Sequence, residues 1–336
     1  MNIDHLITPF KLQRPVLSAS GKPGAFDSMA VDCCYPFRHN GKFYMTYVGF
    51  DGVGYQTGLA VSDDLIHWEP QGVILRRGAN RDWDKVGMAC TWILRESNDL
   101  YGPNTLKKVD GKYWMFYHAY PGEGYEAGGA EIGLAYTEDE RLMDWTFVGE
   151  PVFSYKDGAP WERGGLYKCC VIEHQGLYYM FYNAKDRDGE GGWLEQTGVA
   201  TSKDMLHWER YAANPVLNVT EGAWDQVFAS DPWVTYDSKN NQWVMFYYGF
   251  NGRQAMDGIA VSGDLLNWQK FPAPILTTGA GSDIDTRYAH KPGIIYHEGM
   301  LYHYYCACRP SREGDCAVNL GNEFRCISVA RSQPWR

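Results

Sequence analysis

The stretch "VDGKYWMFYHAY", residues 109–120, joins a turn signal to an unbroken run of apolar and aromatic side chains. The dipeptide Asp110-Gly111 favours a tight turn, and the residue types that follow it prefer strands. An apolar run without alternation is typical of a strand that is buried on both faces. The stretch therefore predicts a central strand of a sheet, entered from a turn.

The same pattern occurs five times in the chain. Its apolar run begins at Phe43, Tyr113, Tyr178, Trp243 and Leu301. The intervals of 70, 65, 65 and 58 residues indicate an internal repeat of one supersecondary unit. A second short strand, as in "TGLAVSDDLIHW" (57–68), and a short apolar element, as in "NPVL" (214–217), follow within the unit. Four strands in each of five units predict an all-β fold, a five-bladed β-propeller in which residues 1–336 form a single domain.

The two ends of the chain complement each other in this pattern. The last repeat runs into "CISVARSQPWR" without a "PVL" element, whereas "RPVL" (14–17) stands alone near the N-terminus. We expect this N-terminal strand to complete the last blade and to close the ring, which protects a sheet edge that would otherwise be exposed.

The composition argues against several classes of partner. With a formal net charge of −10, the 336-residue chain lacks the excess of Lys and Arg that binds nucleic acid or an anionic membrane surface. No apolar run is long enough for a transmembrane helix, and the start "MNIDHLITPFKLQ" lacks the pattern of a secretion signal. Because the nine cysteines have no disulfide-like spacing, we expect reduced thiols and a cytoplasmic protein. A neutral substrate fits this composition best.

The innermost strands of a propeller line its channel, so one residue from each repeat can converge on one point. Counting back eleven residues from each apolar run, or twelve in the fourth repeat, gives the ring positions Asp32, Gly102, Tyr167, Asp231 and His290. A carboxylate in an apolar strand is costly to bury without a partner, so Asp32 and Asp231 are candidate catalytic residues, with turn capping as the alternative. His290 is a candidate general acid, a neutral hydrogen-bonding residue or the ligand of a divalent cation. No cofactor is required.

Three glutamates are further candidates for a general acid. Glu162 lies in "WERGGLYK" at a position that is acidic in every repeat, which is more typical of bonds to neighbouring backbone than of catalysis. It is nevertheless the only Glu at that position, and its longer side chain keeps it a candidate. Glu131 and Glu195, on the third strands of their repeats, are rivals for the same role.

Polar and aromatic residues near the ring are candidates for substrate binding. The polar candidates are Tyr167, Lys168, Lys291 and Arg309. The aromatic candidates, which either stack on sugar faces or belong to the core, are Trp92, Trp161 and Trp193. The adjacent pairs Cys33-Cys34 and Cys169-Cys170 have no CxxC–His grouping, so small buried apolar residues are the simpler interpretation and no metal site is assigned to them.

The repeated "GKYWMFY"-type strands, the "GLAVSDDLIHW"-type turns and an Asp on the first inner strand resemble those of the five-bladed propeller glycosidases. These are glycoside hydrolase family 43 and its relatives in families 32, 68, 117 and 130, and the resemblance covers essentially the whole chain. It implies that Asp32 is the general base. In family 43 a third-blade Glu is the acid, but here the third ring position is Tyr167, and Glu162 is the nearest Glu.

Family 117, with two ring Asp residues and a late-blade His, is the closest in its site residues. The resemblance to it implies that His290 is the acid, with Asp32 and Asp231 as the carboxylates. The family 32 signature "NDPNG" is absent, which disfavours a fructosidase. Gly102 in "GPNTLKKV" offers no acid, which disfavours a family 130 phosphorylase.

The resemblance and the ring residues together predict a glycosidase that is exo-acting and inverting. Its expected substrate is a small oligosaccharide with a terminal sugar of plant or algal type. One alternative is a phosphorylase of the same fold, in which Lys168, Lys291 and Arg309 bind phosphate. Another is a sugar-binding propeller without catalysis, which the missing acids of the second and third ring positions favour.

Overall fold

A computed structural model describes residues 3–78, 81–187, 192–279, 282–315 and 322–335. Nearly all regular structure in these residues is β, as the abundance of Tyr, Trp and Val favours. The helices found there are the short 3₁₀ turns Asp4–Leu6, Tyr155–Asp157 and Pro160–Glu162. None of the helices in the described ranges is long and apolar enough to cross a membrane.

The strands follow the sequence repeats, and neighbouring strands within a repeat pair antiparallel. Two short strands come first, β1 (Phe10–Lys11) and β2 (Leu17–Ser18). The first repeat contains β3 (Ala30–His39), β4 (Lys42–Phe50), β5 (Tyr55–Ser62) and β6 (Glu69–Leu75). The second contains β7 (Gly87–Ile93), β8 (Lys108–Val109), β9 (Lys112–Tyr120), β10 (Glu131–Thr137) and β11 (Thr146–Phe147).

The remaining three repeats have the same order of strands. The third contains β12 (Gly165–His174), β13 (Leu177–Arg187), β14 (Trp193–Ser202) and β15 (Glu209–Arg210). The fourth contains β16 (Phe228–Asp237), β17 (Gln242–Phe250), β18 (Ala255–Ser262) and β19 (Gln269–Lys270). The fifth contains β20 (Tyr288–His297), β21 (Met300–Pro310) and β22 (Glu323–Arg331).

The N-terminal strands pair with the last strand of the chain. In β2, Leu17 lies opposite Ile327 of β22, and β1 pairs antiparallel with the same strand. The segment that contains "RPVL" therefore supplies the outer strands of the fifth repeat. Across the described residues the strands form three hydrogen-bonded sheets, so the closed five-bladed ring stays a prediction.

The inner strands are bulged where the ring positions lie. In β3 the pairing with β4 shifts between Asp32 and Tyr35, and comparable shifts occur in β7, β12, β16 and β20. At the bulges Cys33, Asp231 and Lys291 have φ values of 41°, 53° and 67°, in the left-handed region that few residues other than glycine adopt. Bulges bend a strand and redirect its side chains, and here they do so next to the charged centre of the molecule.

The prediction that Gly102 occupies the ring position of the second repeat is wrong. The inner strand of the second repeat is β7, and its Ala89 pairs with His118 of β9. In the first repeat Asp32 pairs with Val48, which is the repeat equivalent of His118. Ala89 therefore occupies the ring position of the second repeat. Gly102 instead lies in the connection from β7 to β8. The counting rule failed because this repeat inserts residues 94–107 between its first two long strands.

Trp92 is a core residue and does not line a sugar site. It is 2% exposed, and its ring lies 4.9 Å from both Tyr35 and Trp233, centroid to centroid. The guanidinium of Arg95 stacks on all three rings at 4.7–5.0 Å. This aromatic cluster fills the space between β3, β7 and β16, because three large side chains at equivalent positions meet there.

Glu162 and Trp161 belong to a structural motif that every repeat contains. In each repeat a carboxylate accepts a hydrogen bond from a second-strand tyrosine: Asp27–Tyr47, Asp84–Tyr117, Glu162–Tyr182, Asp225–Tyr247 and Asp285–Tyr305. Glu162 is fully buried and also accepts a bond of 2.8 Å from Arg210. Trp161 stacks on Tyr182 at an interplanar angle of 20°. Neither residue is therefore placed for catalysis or for sugar stacking, which corrects both predictions.

The N-terminal strand offers a first testable prediction. Leu17 is buried in an apolar cluster with Ile327, whereas its neighbour Ser18 is exposed. Leu17→Ala should lower the free energy of unfolding by about 2–5 kcal/mol because it leaves a cavity in that cluster. Ser18→Ala, on the same strand, is the matched control and should change it by less than about 0.5 kcal/mol. Equal melting temperatures for both variants would show that the N-terminal strand is not needed for stability.

Candidate active site

The inner and third strands bring charged side chains together around two adjoining spaces. The larger, called the cavity here, has a volume of about 180 Å³, and among its lining residues are Tyr125, Glu126, Glu195, His290, Lys291 and Arg325. The smaller, called the recess, has a volume of about 30 Å³, and its lining includes His118, Tyr167, Lys168, Asn183 and Asp231. Glu126, Glu195, Tyr248 and Lys291 line both spaces. The cavity and the recess are therefore parts of one site.

Asp32 lies beside the site as the anion of a buried ion cluster. Its Oδ2 accepts from Lys291 at 3.0 Å and from Arg325 at 2.6 Å, and its Oδ1 accepts from the backbone N–H of Cys33 at 2.7 Å. Burial alone would raise the pKa of Asp32, but Lys291 and Arg325 outweigh it and hold the pKa well below its usual value. A carboxylate with both oxygens so engaged is a poor acceptor for a proton from water. The geometry thus argues against the predicted role of Asp32 as general base.

His290 lines the cavity but is a neutral imidazole. Its Nδ1 lies 3.1 Å from the carbonyl oxygen of Cys306, to which it can donate a hydrogen bond. Burial, together with the charges of Lys291 and Arg325, holds the pKa of His290 well below its usual value. A neutral imidazole holds its one N–H proton too tightly to act as general acid at neutral pH. The prediction that His290 is the acid is therefore not supported by its surroundings.

Two carboxyl groups of the site have raised pKa values. Burial raises the pKa of Glu195, to which the nearby charge of Glu126 adds, and Lys185 only partly opposes this. The Oε2 of Glu195 accepts hydrogen bonds from Ser230 at 2.8 Å and from Asn183 at 3.2 Å, which fix its orientation. Burial also raises the pKa of Asp231. Glu195 lines both spaces and Asp231 only the recess, so Glu195 is the better placed proton donor.

Glu126 is the carboxylate with the opposite shift. Burial alone would raise its pKa, but the charges of Lys185 and Lys291 outweigh this and hold the pKa below its usual value. Its side chain lies 3.2 Å from the Nζ of Lys185 and keeps 19% of its surface exposed, on the side of the cavity. Glu126 and Glu195 therefore face one cavity with pKa values that are shifted in opposite directions. Such a division is typical of an acid and a base that act together.

Two other predicted residues lie elsewhere. Arg309 forms a bidentate ion pair with Asp315, with both distances at 2.8 Å, and does not line either space. Glu131 forms an ion pair with Lys156 at 2.7 Å. Its position on the third strand differs by one residue from the position of Glu195, so the two side chains lie on opposite faces of their sheets. Both predictions are corrected by these contacts.

Trp193 lies at the edge of the site. It is 37% exposed, and the guanidinium of Arg187 lies 3.9 Å from its ring centroid. The Nζ of Lys185, which pairs with Glu126, lies 5.1 Å from the same ring. A role of Trp193 in substrate binding stays a prediction.

A cation ligated by His290 also stays a prediction. Among the described residues, ligand atoms of His290, Cys306 and Cys308 lie within 4.8 Å of one another. Arg325, however, lies 3.8 Å from the Sγ of Cys306, and burial raises the pKa of that thiol well above its usual value. A nearby guanidinium and a protonated thiol both oppose cation binding.

The residues that the sequence did not reveal come from two places. Tyr125 and Glu126 lie in the connection from β9 to β10, which spans residues 121–130, against 51–54 in the first repeat. Arg325 is the third residue of β22 and lies in the register in which Glu195 lies on β14. Alignment of the third strands, in addition to the second strands, would have identified Arg325. No repeat signal points to Glu126.

The nearly all-β fold and the paired carboxyl groups around a small cavity are those of a carbohydrate-active enzyme of the propeller glycosidase family. Residues 95–282 match the family described as "Glycosyl hydrolases family 32 N-terminal domain". This match spans more than half of the chain, and the chain belongs to that family. The resemblance to family 43 and its relatives is thereby confirmed.

Known proteins similar to this chain include hydrolases and phosphorylases. A structure described as a complex of BT0996 and RGII has 29% identity and a TM-score of 0.82, and the match covers 99% of this chain and 94% of that protein. A second, described as "Glycoside hydrolase", has 29% identity and a TM-score of 0.80, with coverages of 98% and 93%. The "Beta-1,2-mannobiose phosphorylase" of Thermoanaerobacter sp. (strain X514) is 27% identical over 134 residues, 36% of this chain. That match spans 42% of the length of the phosphorylase.

The ion cluster of Asp32 generates a second prediction. Asp32→Asn leaves buried Lys291 without its ion-pair partner and leaves Arg325 with Glu323 alone, and it should cost about 3–5 kcal/mol of unfolding free energy at neutral pH. Because the folded pKa of Asp32 is depressed, this stability is present above the unfolded pKa of about 3.9 and is lost as the pH falls below it. The difference in melting temperature between wild type and variant should therefore shrink on acidification.

Asp231→Asn is the matched control for this measurement. Asp231 has one cation near it, Lys168 at 4.0 Å, which is too long for a hydrogen bond. This variant should therefore lose less than half as much stability as Asp32→Asn. If Asp32→Asn were as stable as wild type, the cluster would contribute nothing to the fold.

Proposed function

We propose that this protein is an exo-acting glycoside hydrolase that removes a terminal sugar from a small oligosaccharide. Glu195 is its general acid and Glu126 its general base. The observation that carries this proposal is the opposite pKa shift of two carboxyl groups that line one cavity. The family match supports a carbohydrate-active enzyme. The structure described as an RGII complex supports an oligosaccharide ligand, in line with the expected plant-type sugar.

In the proposed mechanism the glycosidic oxygen lies near Glu195. Glu195 gives its proton to this oxygen as the bond to the anomeric carbon breaks. A water molecule attacks the same carbon and gives its proton to Glu126, so that the configuration is inverted. The positive charges of Lys185 and Lys291 keep Glu126 ionised before this step. Asp32 acts indirectly, because it holds Lys291 and Arg325 in place.

The size of the cavity and its surroundings support exo action as part of the proposal. A volume of about 180 Å³ is smaller than the ~300–1,000 Å³ of pockets for drug-sized ligands, so it suits one sugar unit. The aromatic cluster of Tyr35, Trp92 and Trp233 fills the centre of the fold and blocks the passage of a chain. We include the closed five-bladed ring in the proposal, supported by the pairing of β1 and β2 with β22.

A phosphorylase is the second candidate, because the matched curated relative is one. In place of water, phosphate would then attack the anomeric carbon, and no general base would be needed. Lys168 and Lys291 lie at the site, whereas Arg309 is occupied by Asp315. Turnover of the best glycoside, measured with and without phosphate, distinguishes the hydrolase from the phosphorylase. Release of a sugar phosphate, or a requirement for phosphate, would show that the enzyme is a phosphorylase.

The role of Glu195 is tested with two leaving groups. A poor leaving group needs the proton of the acid and a good one does not, so Glu195→Gln should lose ~10²–10⁴-fold in kcat on an oligosaccharide and much less on an activated aryl glycoside. Because the pKa of Glu195 is raised, activity of the wild type should fall as the pH rises through that pKa. This alkaline limb should be absent in Glu195→Gln.

Glu126→Gln and Glu131→Gln complete the test. Glu126→Gln should lose activity on both substrates, since the base is needed whatever the leaving group. Glu131→Gln is the matched control, a buried third-strand glutamate outside the two spaces, and should keep near-wild-type kinetics. Equal losses of Glu195→Gln on both substrates would remove Glu195 from the role of acid. Retention of the anomeric configuration in the first product, measured by NMR, would exclude inversion.

A further inference from the structure

The recess is lined by buried polar atoms that the protein itself leaves without hydrogen bonds. Among the described residues, these are Nδ1 and Nε2 of His118, Oδ1 of Asn183, Oδ2 of Asp231 and the hydroxyl oxygen of Tyr167. The four residues are 3%, 1%, 4% and 3% exposed, respectively. Buried polar atoms in folded proteins are nearly always bonded, so five such atoms at one space of about 30 Å³ indicate a partner from outside the chain.

The side chains of Asn183 and Asp231 are each oriented by a hydrogen bond of their second polar atom. The Nδ2 of Asn183 donates to Glu195 at 3.2 Å, so its Oδ1 is the atom left over. The Oδ1 of Asp231 accepts from Ser230 at 3.3 Å, and Lys168 lies 4.0 Å from its Oδ2. His118 comes from β9, so three different repeats contribute to the recess. Their convergence is a property of the assembled fold.

The chemistry of these atoms selects the kind of ligand. Burial lowers the pKa of His118 to about 4, so at neutral pH its ring is neutral and has one donor and one acceptor nitrogen. Asn183 and Asp231 add two acceptors. Neither a cation nor an anion is selected, because carboxyl groups and the lysines Lys168 and Lys291 line the same recess. A space of about 30 Å³ admits one small group, so a single group that both donates and accepts is the matching ligand.

We propose that the recess binds one hydroxyl group of the terminal sugar, and that His118, Asn183 and Asp231 thereby determine which sugar the enzyme accepts. This inference rests on the proposed function, because it places the sugar ring in the adjoining cavity. A sugar that lacks this hydroxyl leaves the buried atoms unpaired. Sites built to bond a substrate hydroxyl reject analogues without it by as much as ~10⁴–10⁵-fold in kcat/KM.

The test uses His118→Phe and a matched control. His303 is also a buried second-strand histidine, but it bonds to Asp257 at 2.9 Å and to Thr8 at 3.3 Å, away from the site. His118→Phe keeps the ring shape and removes both nitrogens, so it should fold with an unchanged or raised melting temperature and bind sugar at least ~10-fold more weakly. His303→Phe should lower the melting temperature and leave sugar affinity unchanged. His118→Gln restores a donor and an acceptor and should recover part of the affinity.

The ligands are free pentoses and hexoses together with their monodeoxy forms, measured by calorimetry. For the sugar that binds best, one monodeoxy form should bind far more weakly to the wild type and should lose no further affinity in His118→Phe. Because this readout does not depend on turnover, a protein that binds in this way but hydrolyses no glycoside would refute the proposed activity and keep the recess assignment. Equal affinity of wild type and His118→Phe for every sugar and deoxy sugar, or the absence of binding by any, would overturn the assignment.

Discussion

The structure of the site depends on one buried carboxylate, Asp32, and the two cations that it holds. Lys291 and Arg325 come from the fifth repeat and Asp32 from the first, so the cluster joins the two ends of the repeat series. All three side chains are at most 8% exposed, which would be costly for any of them alone. Glu323 also pairs with Arg325, at 3.1 Å, but Asp32 is the anion that the two cations share and that holds both of them beside the cavity.

The cations of the site shift the pKa values of the other titratable groups according to where those groups lie. His290 lies beside both cations, and their charges add to burial in holding its pKa down. Glu126 is close enough to Lys185 and Lys291 for their charges to outweigh burial, whereas for Glu195 burial prevails over Lys185. The same lysines thus lower the pKa of one glutamate and fail to prevent a raised pKa in the other. The opposed shifts arise from the surroundings of the two groups, since the two side chains are chemically identical.

Periodicity in the sequence was sufficient for the class of fold and for part of the site. The apolar runs located the second strands, and counting from them placed Asp32, Tyr167, Asp231 and His290 at or beside one centre. It failed for Gly102, because a constant spacing cannot register the insertion of residues 94–107. It could not find Glu126, because Glu126 lies in a connection whose length varies between repeats and not on a repeated strand. Protonation states were also out of reach, since they depend on charges that distant repeats contribute.

The contrast between repeated and unrepeated residues explains which side chains have a role in the site. A residue type that recurs in all five repeats, such as the carboxylate that bonds a second-strand tyrosine, solves a packing problem that every repeat has, and Glu162 belongs to that class. A single substrate needs each chemical group once. Glu195 and Arg325 are each the third residue of their strands and lie in the same register, yet one is a carboxylic acid and the other a permanent cation. Equivalent positions with different chemistry are therefore the places where a repeat fold specialises, and in this protein they surround one cavity.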